Sequence, residues 1–107
     1  MDKVRAIISK IGGGIYYAYD HFAESENETP PYICYKVVST EPFSADGEAY
    51  LSIDTVHVEL YTDKKDPKTE RKVEKVLKGA GIVFNKNETW IESEKLYEVL
   101  YTFEMEA

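Results

Sequence analysis

His21, His57, Cys34 and the carboxylates around Asp54 and Glu59 are the residues of this chain best suited to proton transfer, nucleophilic attack or metal binding. Nucleophilic catalysis needs a nucleophile, a base within hydrogen-bond reach and a group that orients the base. Neither histidine stands beside a glycine-framed serine or the lone cysteine: His21 opens a polar stretch, and His57 sits in the middle of an alternating run, HVELYT. Two polar-face histidines, rather than a catalytic pair, are expected. Asp54, His57 and Glu59 are the closest approach to a metal-ligand set, but along a strand His57 and Glu59 share one face and Asp54 points to the other. That trio cannot converge on one ion without a bulge.

The remaining chemical signals are weaker. The acidic stretches ESENE (24–28) and IESEKLYE (91–98) are unpatterned and read as a solvated surface rather than as a paired acid and base. Gly12, Gly13 and Gly14 follow a helical pattern instead of opening one, and no Gly-Lys-Ser/Thr comes after them, so they are not a phosphate loop. Cys34 lies in YICYK and is expected to act as a small buried hydrophobe; a single cysteine excludes an internal disulfide. No catalytic, metal or cofactor-binding residue is assigned, and no cofactor is expected.

Charge is more informative. The formal net charge of −7 argues against general nucleic-acid affinity, which rests on neutralising phosphates. Residues 20–50 carry Asp20, Glu24, Glu26, Glu28, Glu41, Asp46 and Glu48 against Lys36 alone, whereas residues 63–81 carry seven bases against four acids. Lys64, Lys68, Arg71, Lys75 and Lys78 form a basic stripe interleaved by Glu70 and Glu74, with Glu74 and Lys78 at a supportive i, i+4 spacing. Such a stripe is either a solvated helix face or a docking surface for an acidic partner. Nine tyrosines are the one unusual count. They suit β-sheet packing and self-association, since tyrosine is enriched in protein interfaces.

These residues need elements to position them. Val4, Ile7, Ile8 and Ile11 have the spacing of one helix face, which the glycines at 12–14 then stop. IYYAYD (15–20) predicts a strand and residues 21–29 an exposed loop. Pro30 and Pro31 lead into a strand at YICYKVVS (32–39). The segment EPFSADGEAY (41–50) predicts a turn or excursion, a candidate mobile arm. Alternation returns over 51–62, with Val56, Val58 and Leu60 on the core face and His57, Glu59 and Tyr61 opposite. Asp66 before Pro67 predicts a helix start, and Val73, Val76, Leu77 and Ala80 its buried face, up to Gly79 and Gly81. Strands are expected over 82–90 and 95–105, joined by a hairpin-like return.

The order is α-β-β-β-α-β-β, an α+β class with a mostly antiparallel β-sheet and two helices packed on one face. A chain of 107 residues fits one domain, 1–107. No apolar run approaches the roughly 18 residues of a membrane span, and Arg5, Ser9 and Lys10 interrupt any secretory core, so no membrane partner and a cytoplasmic origin are expected.

PPYICYKV, SADGEAY, VHVELYTDKKD, a helix with VEKVL, and GIVFNKNETWIESEKLYEVLYTFEM, taken in that order, resemble a family of small tail-completion proteins, the tail terminators, of long-tailed phages and prophages of Gram-positive bacteria. The resemblance covers about nine-tenths of the chain, and VELYTDKKD and WIESEKLYEVLYTFE are its most specific pieces. It implies a non-enzymatic structural protein that forms a ring, usually of six subunits, at the head-proximal end of the tail tube. Its partners would be copies of itself, the tail-tube protein and the head-tail connector; its place would be the host cytoplasm during assembly and then the virion tail. Another neck subunit, or a small intracellular binding module using a tyrosine-bearing sheet, are the alternatives. The residues expected at subunit or partner contacts are Phe43, Asp46 and Tyr50 in the turn-rich segment and Lys64, Lys65 and Lys68 at the strand-to-helix corner.

Overall fold

A computed structural model describes residues 2–12, 15–20, 29–45 and 48–107, with the side chains of 2, 43–45 and 48–51 left aside. The chain runs α1 (Asp2–Ser9), β1 (Tyr16–Tyr19), β2 (Tyr32–Ala45), β3 (Glu48–Thr62), α2 (Pro67–Gly79), β4 (Asn85–Ile91) and β5 (Leu96–Glu106). This is the α+β order that the sequence predicts. The five strands form one sheet in the order β1-β2-β3-β5-β4, antiparallel throughout except where β1 pairs parallel with β2.

The two-residue period of β3 separates the faces. Val56, Val58 and Leu60 are fully buried and face Phe103, Tyr101 and Val99 of β5 across the ladder, and Val37, Tyr35 and Ile33 of β2 on the other side. Val4 and Ile8 of α1 and Val73 and Leu77 of α2 close this layer, so both helices cover the same face. Each helix starts and stops for a local reason. Asp66 caps α2, accepting from the Thr69 N–H at 3.1 Å and the Thr69 hydroxyl at 2.6 Å, and Pro67 fills the first helical position, where a missing N–H costs nothing. Gly12, at φ +62°, takes the left-handed backbone that ends the turn after α1.

Two boundaries differ from expectation. Residues 41–45 and 48–50, expected as a turn or excursion, continue the strands: Glu41 pairs with Ile53, Pro42 with Ser52 and Phe43 with Leu51, and the ladder runs on to Ala45 and Glu48. Thr40, Pro42 and the small residues of this stretch tolerate an edge position, and only Asp46 and Gly47, outside the described residues, link the strands. Ile82–Phe84, expected to open a strand, instead lead from α2 to β4. Ile82 and Phe84 pack against the core while Val83 is 90% exposed, so this apolar run is read by burial rather than by pairing.

Candidate assembly surfaces

β5 pairs with β3 only between Ile53 and Thr62, and β1 pairs with β2 only between Tyr32 and Tyr35. The pairs from Pro42↔Ser52 to Ala45↔Glu48 therefore extend past the rest of the sheet as a two-stranded arm. Its root is fastened where the Ala107 N–H donates to the Ser52 carbonyl at 2.9 Å. A two-stranded ribbon is marginal alone, and among the described residues no further strand pairs with its edges. The backbones of Phe43 and Tyr50 lie on this arm, and Asp46 falls outside the described residues.

The strand-to-helix corner separates its three lysines. Lys65 is committed within the chain, bonded to Glu70 at 2.7 Å and also to Glu88. Lys64 and Lys68 are exposed and make no ion pair among the described residues. Of the three lysines expected at a contact, Lys64 and Lys68 thus have ammonium groups free of ion pairs among the described residues, while Lys65 already holds two carboxylates.

Glu70 shows why. It is 3% exposed and receives two ammonium groups, Lys65 and, at 2.8 Å, Lys86 of β4. Lys86 also bonds Glu74 at 2.7 Å, and the buried Tyr101 hydroxyl donates to Glu74 at 2.8 Å. Burial pushes both carboxyls up, but the lysine hydrogen bonds, joined at Glu74 by Tyr101, more than offset it and hold both below the usual carboxylate range. The network ties α2 to the edge strand. The sequence alone instead puts Glu70 and Glu74 within a stripe that is a solvated helix face or a docking surface, with Glu74 at i, i+4 spacing to Lys78. Glu70 lies three residues before Val73 and seven before Leu77, so its place on the buried face was visible in the spacing, and a buried carboxylate there requires a cation.

The other sheet face is reached by neither helix among the described residues. Tyr16, Tyr32 and Tyr61 lie on it, the last two stacked with ring centroids 5.1 Å apart, together with Cys34, His57, Glu59 and Glu98. The Tyr61 hydroxyl donates to Glu98 at 2.8 Å and to Glu59 at 3.3 Å. Burial, then the charge of Glu98, raises the Glu59 carboxyl, against Lys36, the Tyr61 hydrogen bond and His57. Asp54 is on the helix-covered face, accepting from the Thr40 hydroxyl at 2.6 Å. Among the described residues, no three His, Cys, Asp or Glu side chains gather as a metal ion would require; His21 lies outside them.

Among the described residues, two of the clefts on the helix side are large enough to hold a ligand-sized group. One, of about 720 Å³, runs between α1 and the end of β5 and is lined by Ile7, Ile82, Phe103, Met105 and neutral polar groups, with Glu104 as its single carboxylate. The other, of about 540 Å³, lies between the helices: Ile11, Val76 and Ala80 form its apolar part and Lys10, Lys72 and Lys75 its charged part. No protein-family model matches the chain, and no curated protein matches it.

Proposed function

We propose that this chain is a non-enzymatic structural subunit of a long-tailed phage or prophage: a tail terminator or tail-completion protein that forms a ring, of six copies, at the head-proximal end of the tail tube and joins it to the head connector. The observation that carries this is the arm, a ladder of β2 and β3 that continues beyond β5 and that no other strand pairs with among the described residues. A subunit that keeps such a ribbon gains from a neighbour that covers it, and a contact between two different patches of one chain closes into rings when its rotation closes. The sequence resemblance adds the tail as the setting. The tyrosines of the open face offer stacking surface, but Glu59 and Glu98 stand among them and repel phosphates, which disfavours an oligonucleotide-binding sheet.

Light scattering across a concentration series, with negative-stain images of the same samples, tests the ring. A mass near six times that of one chain with annular particles is expected, and purified tail tubes should bind it in preference to connector rings. Binding to the connector alone would make it another neck subunit. A monomer at every concentration that also fails to cap tail tubes would overturn the proposal.

A further inference from the structure

The groove between the helices is basic, in a chain whose formal net charge is −7. Its apolar part, Ile11, Val76 and Ala80, is bordered by Lys10, Lys72 and Lys75, and no carboxylate lines it. None of the three lysines makes an ion pair among the described residues, in contrast to Lys65 and Lys86, which are fully engaged. At about 540 Å³ it falls within the roughly 300–1,000 Å³ of ligand-sized sites. A fitting occupant carries large apolar side chains, at least two carboxylates and no cation.

The arm has that composition. Residues 43–51 read FSADGEAYL: Phe43, Tyr50 and Leu51 are large and apolar, Asp46 and Glu48 are acidic, and no base is present. We infer that the tip of the β2–β3 arm of one copy docks in the Lys10/Lys72/Lys75 groove between α1 and α2 of the next. The contact is between copies. Lys3, at the start of α1, reaches the Ala107 carbonyl beside the arm's root, whereas Lys10 and Ile11 lie past the other end of that helix. The arm's pairing continues from Pro42↔Ser52 to Ala45↔Glu48, which carries its tip away from that root. Opposite charges on the two patches set register and favour encounter, while the apolar residues between them supply buried area. Because arm and groove are different surfaces, each copy gives one and receives one. The inference deepens the ring proposed above by naming its contact, and rests on it only in that copies associate.

Two single-cysteine proteins test it, both in a Cys34→Ala background: Ser44→Cys on the arm, and Gly79→Cys beside the groove, where an added Cβ meets nothing within 4 Å. Mixed and oxidised, they should form the 44–79 disulfide between copies, identified by mass spectrometry, with a yield that rises with concentration and falls with salt. In parallel, Lys72→Glu with Lys75→Glu, and separately Asp46→Lys with Glu48→Lys, should each weaken self-association at least tenfold while leaving the far-UV spectrum unchanged. A 1:1 mixture of the two reversed proteins should recover pairing, because each reversed arm then meets a reversed groove. Rings that form without the cross-link and ignore both reversals would overturn this contact and leave the ring standing. The cross-link and the mixing rescue in particles that are not rings would support the contact and overturn the ring. No cross-link and no association at any concentration would overturn the contact, and capping of tail tubes would then decide the ring separately.

Discussion

At the residue scale, the open face holds one arrangement under electrostatic tension. Glu59 and Glu98 share the Tyr61 hydroxyl, and Tyr61 itself is pushed up by burial and by the Glu98 hydrogen bond, so it stays a donor across the ordinary pH range. The Glu59 carboxyl is raised, by burial first and Glu98 second. A carboxyl with a raised folded-state pKa holds its proton more tightly folded than unfolded. Stability therefore falls as pH rises from the unfolded carboxyl value, roughly 4.3, through the folded value. Glu59→Gln removes the repulsion and keeps a group that can meet the Tyr61 hydroxyl. It should stabilise the fold at pH 7 by about 0.5 kcal/mol, within the span of cross-strand charge pairs, and lose that advantage near pH 4. Urea unfolding at the two pH values measures it; a variant less stable at pH 7 would mean that the Tyr61 bridge outweighs the repulsion. The alternation of HVELYT placed Glu59 and Tyr61 on one face, but Glu98 lies 37 residues beyond Tyr61, and nothing local in the sequence gives the strand order that joins them.

At the scale of elements, α2 and β4 are joined less by apolar packing than by Glu70. β4 is exposed along nearly its whole length, and Lys86 and Glu88, on the side toward the helices, connect it to α2 through Glu70, Glu74 and Lys65. Glu70 and Glu74 sit below the usual carboxylate range, so their contribution is present above the unfolded carboxyl value, roughly 4.3, and is lost as pH falls through their folded values. Glu70→Gln should cost about 1–2 kcal/mol at pH 7. That is less than for a fully buried pair, because the Lys65 and Lys86 side chains are 45% and 38% exposed and can recover water. The penalty should shrink in acid, and hydrogen exchange should quicken in β4 before β3. Unaltered β4 protection would show that its ladder to β5 suffices. Capping, helix periodicity and strand alternation were all legible, since each is a local pattern: Asp66-Pro67, Val4 with Ile8, Val56 with Val58 and Leu60. The parallel placement of β1 and the order that puts β5 beside β3 were not, since pairing across long separations leaves no periodic trace in a single chain.

For the whole molecule, the decisive feature is an elongated body, 49 × 29 × 22 Å, with a ladder that continues past its last covering strand. Composition pointed to the right segment and the wrong conformation: Pro42, Asp46 and Gly47 suggested an excursion, yet the strands run to within two residues of each other. Turn residues mark where a hairpin reverses, and do not say how far its strands extend before they reach it. Among the described side chains, which exclude 43–51, the buried core runs from Val4 to Phe103 with no member between Tyr35 and Val56, and Val37 packs against it from that interval. Deleting Ser44–Glu48 should leave a folded monomer whose unfolding free energy changes by less than about 1 kcal/mol, since shortening the connection between two strands costs little. Assembly should fail. Circular dichroism with urea unfolding reads the first outcome and light scattering the second. A deletion protein that unfolds would make the arm part of the folding unit; one that is stable and keeps its ring mass would show that the subunits meet elsewhere, with the open tyrosine face the next surface to alter.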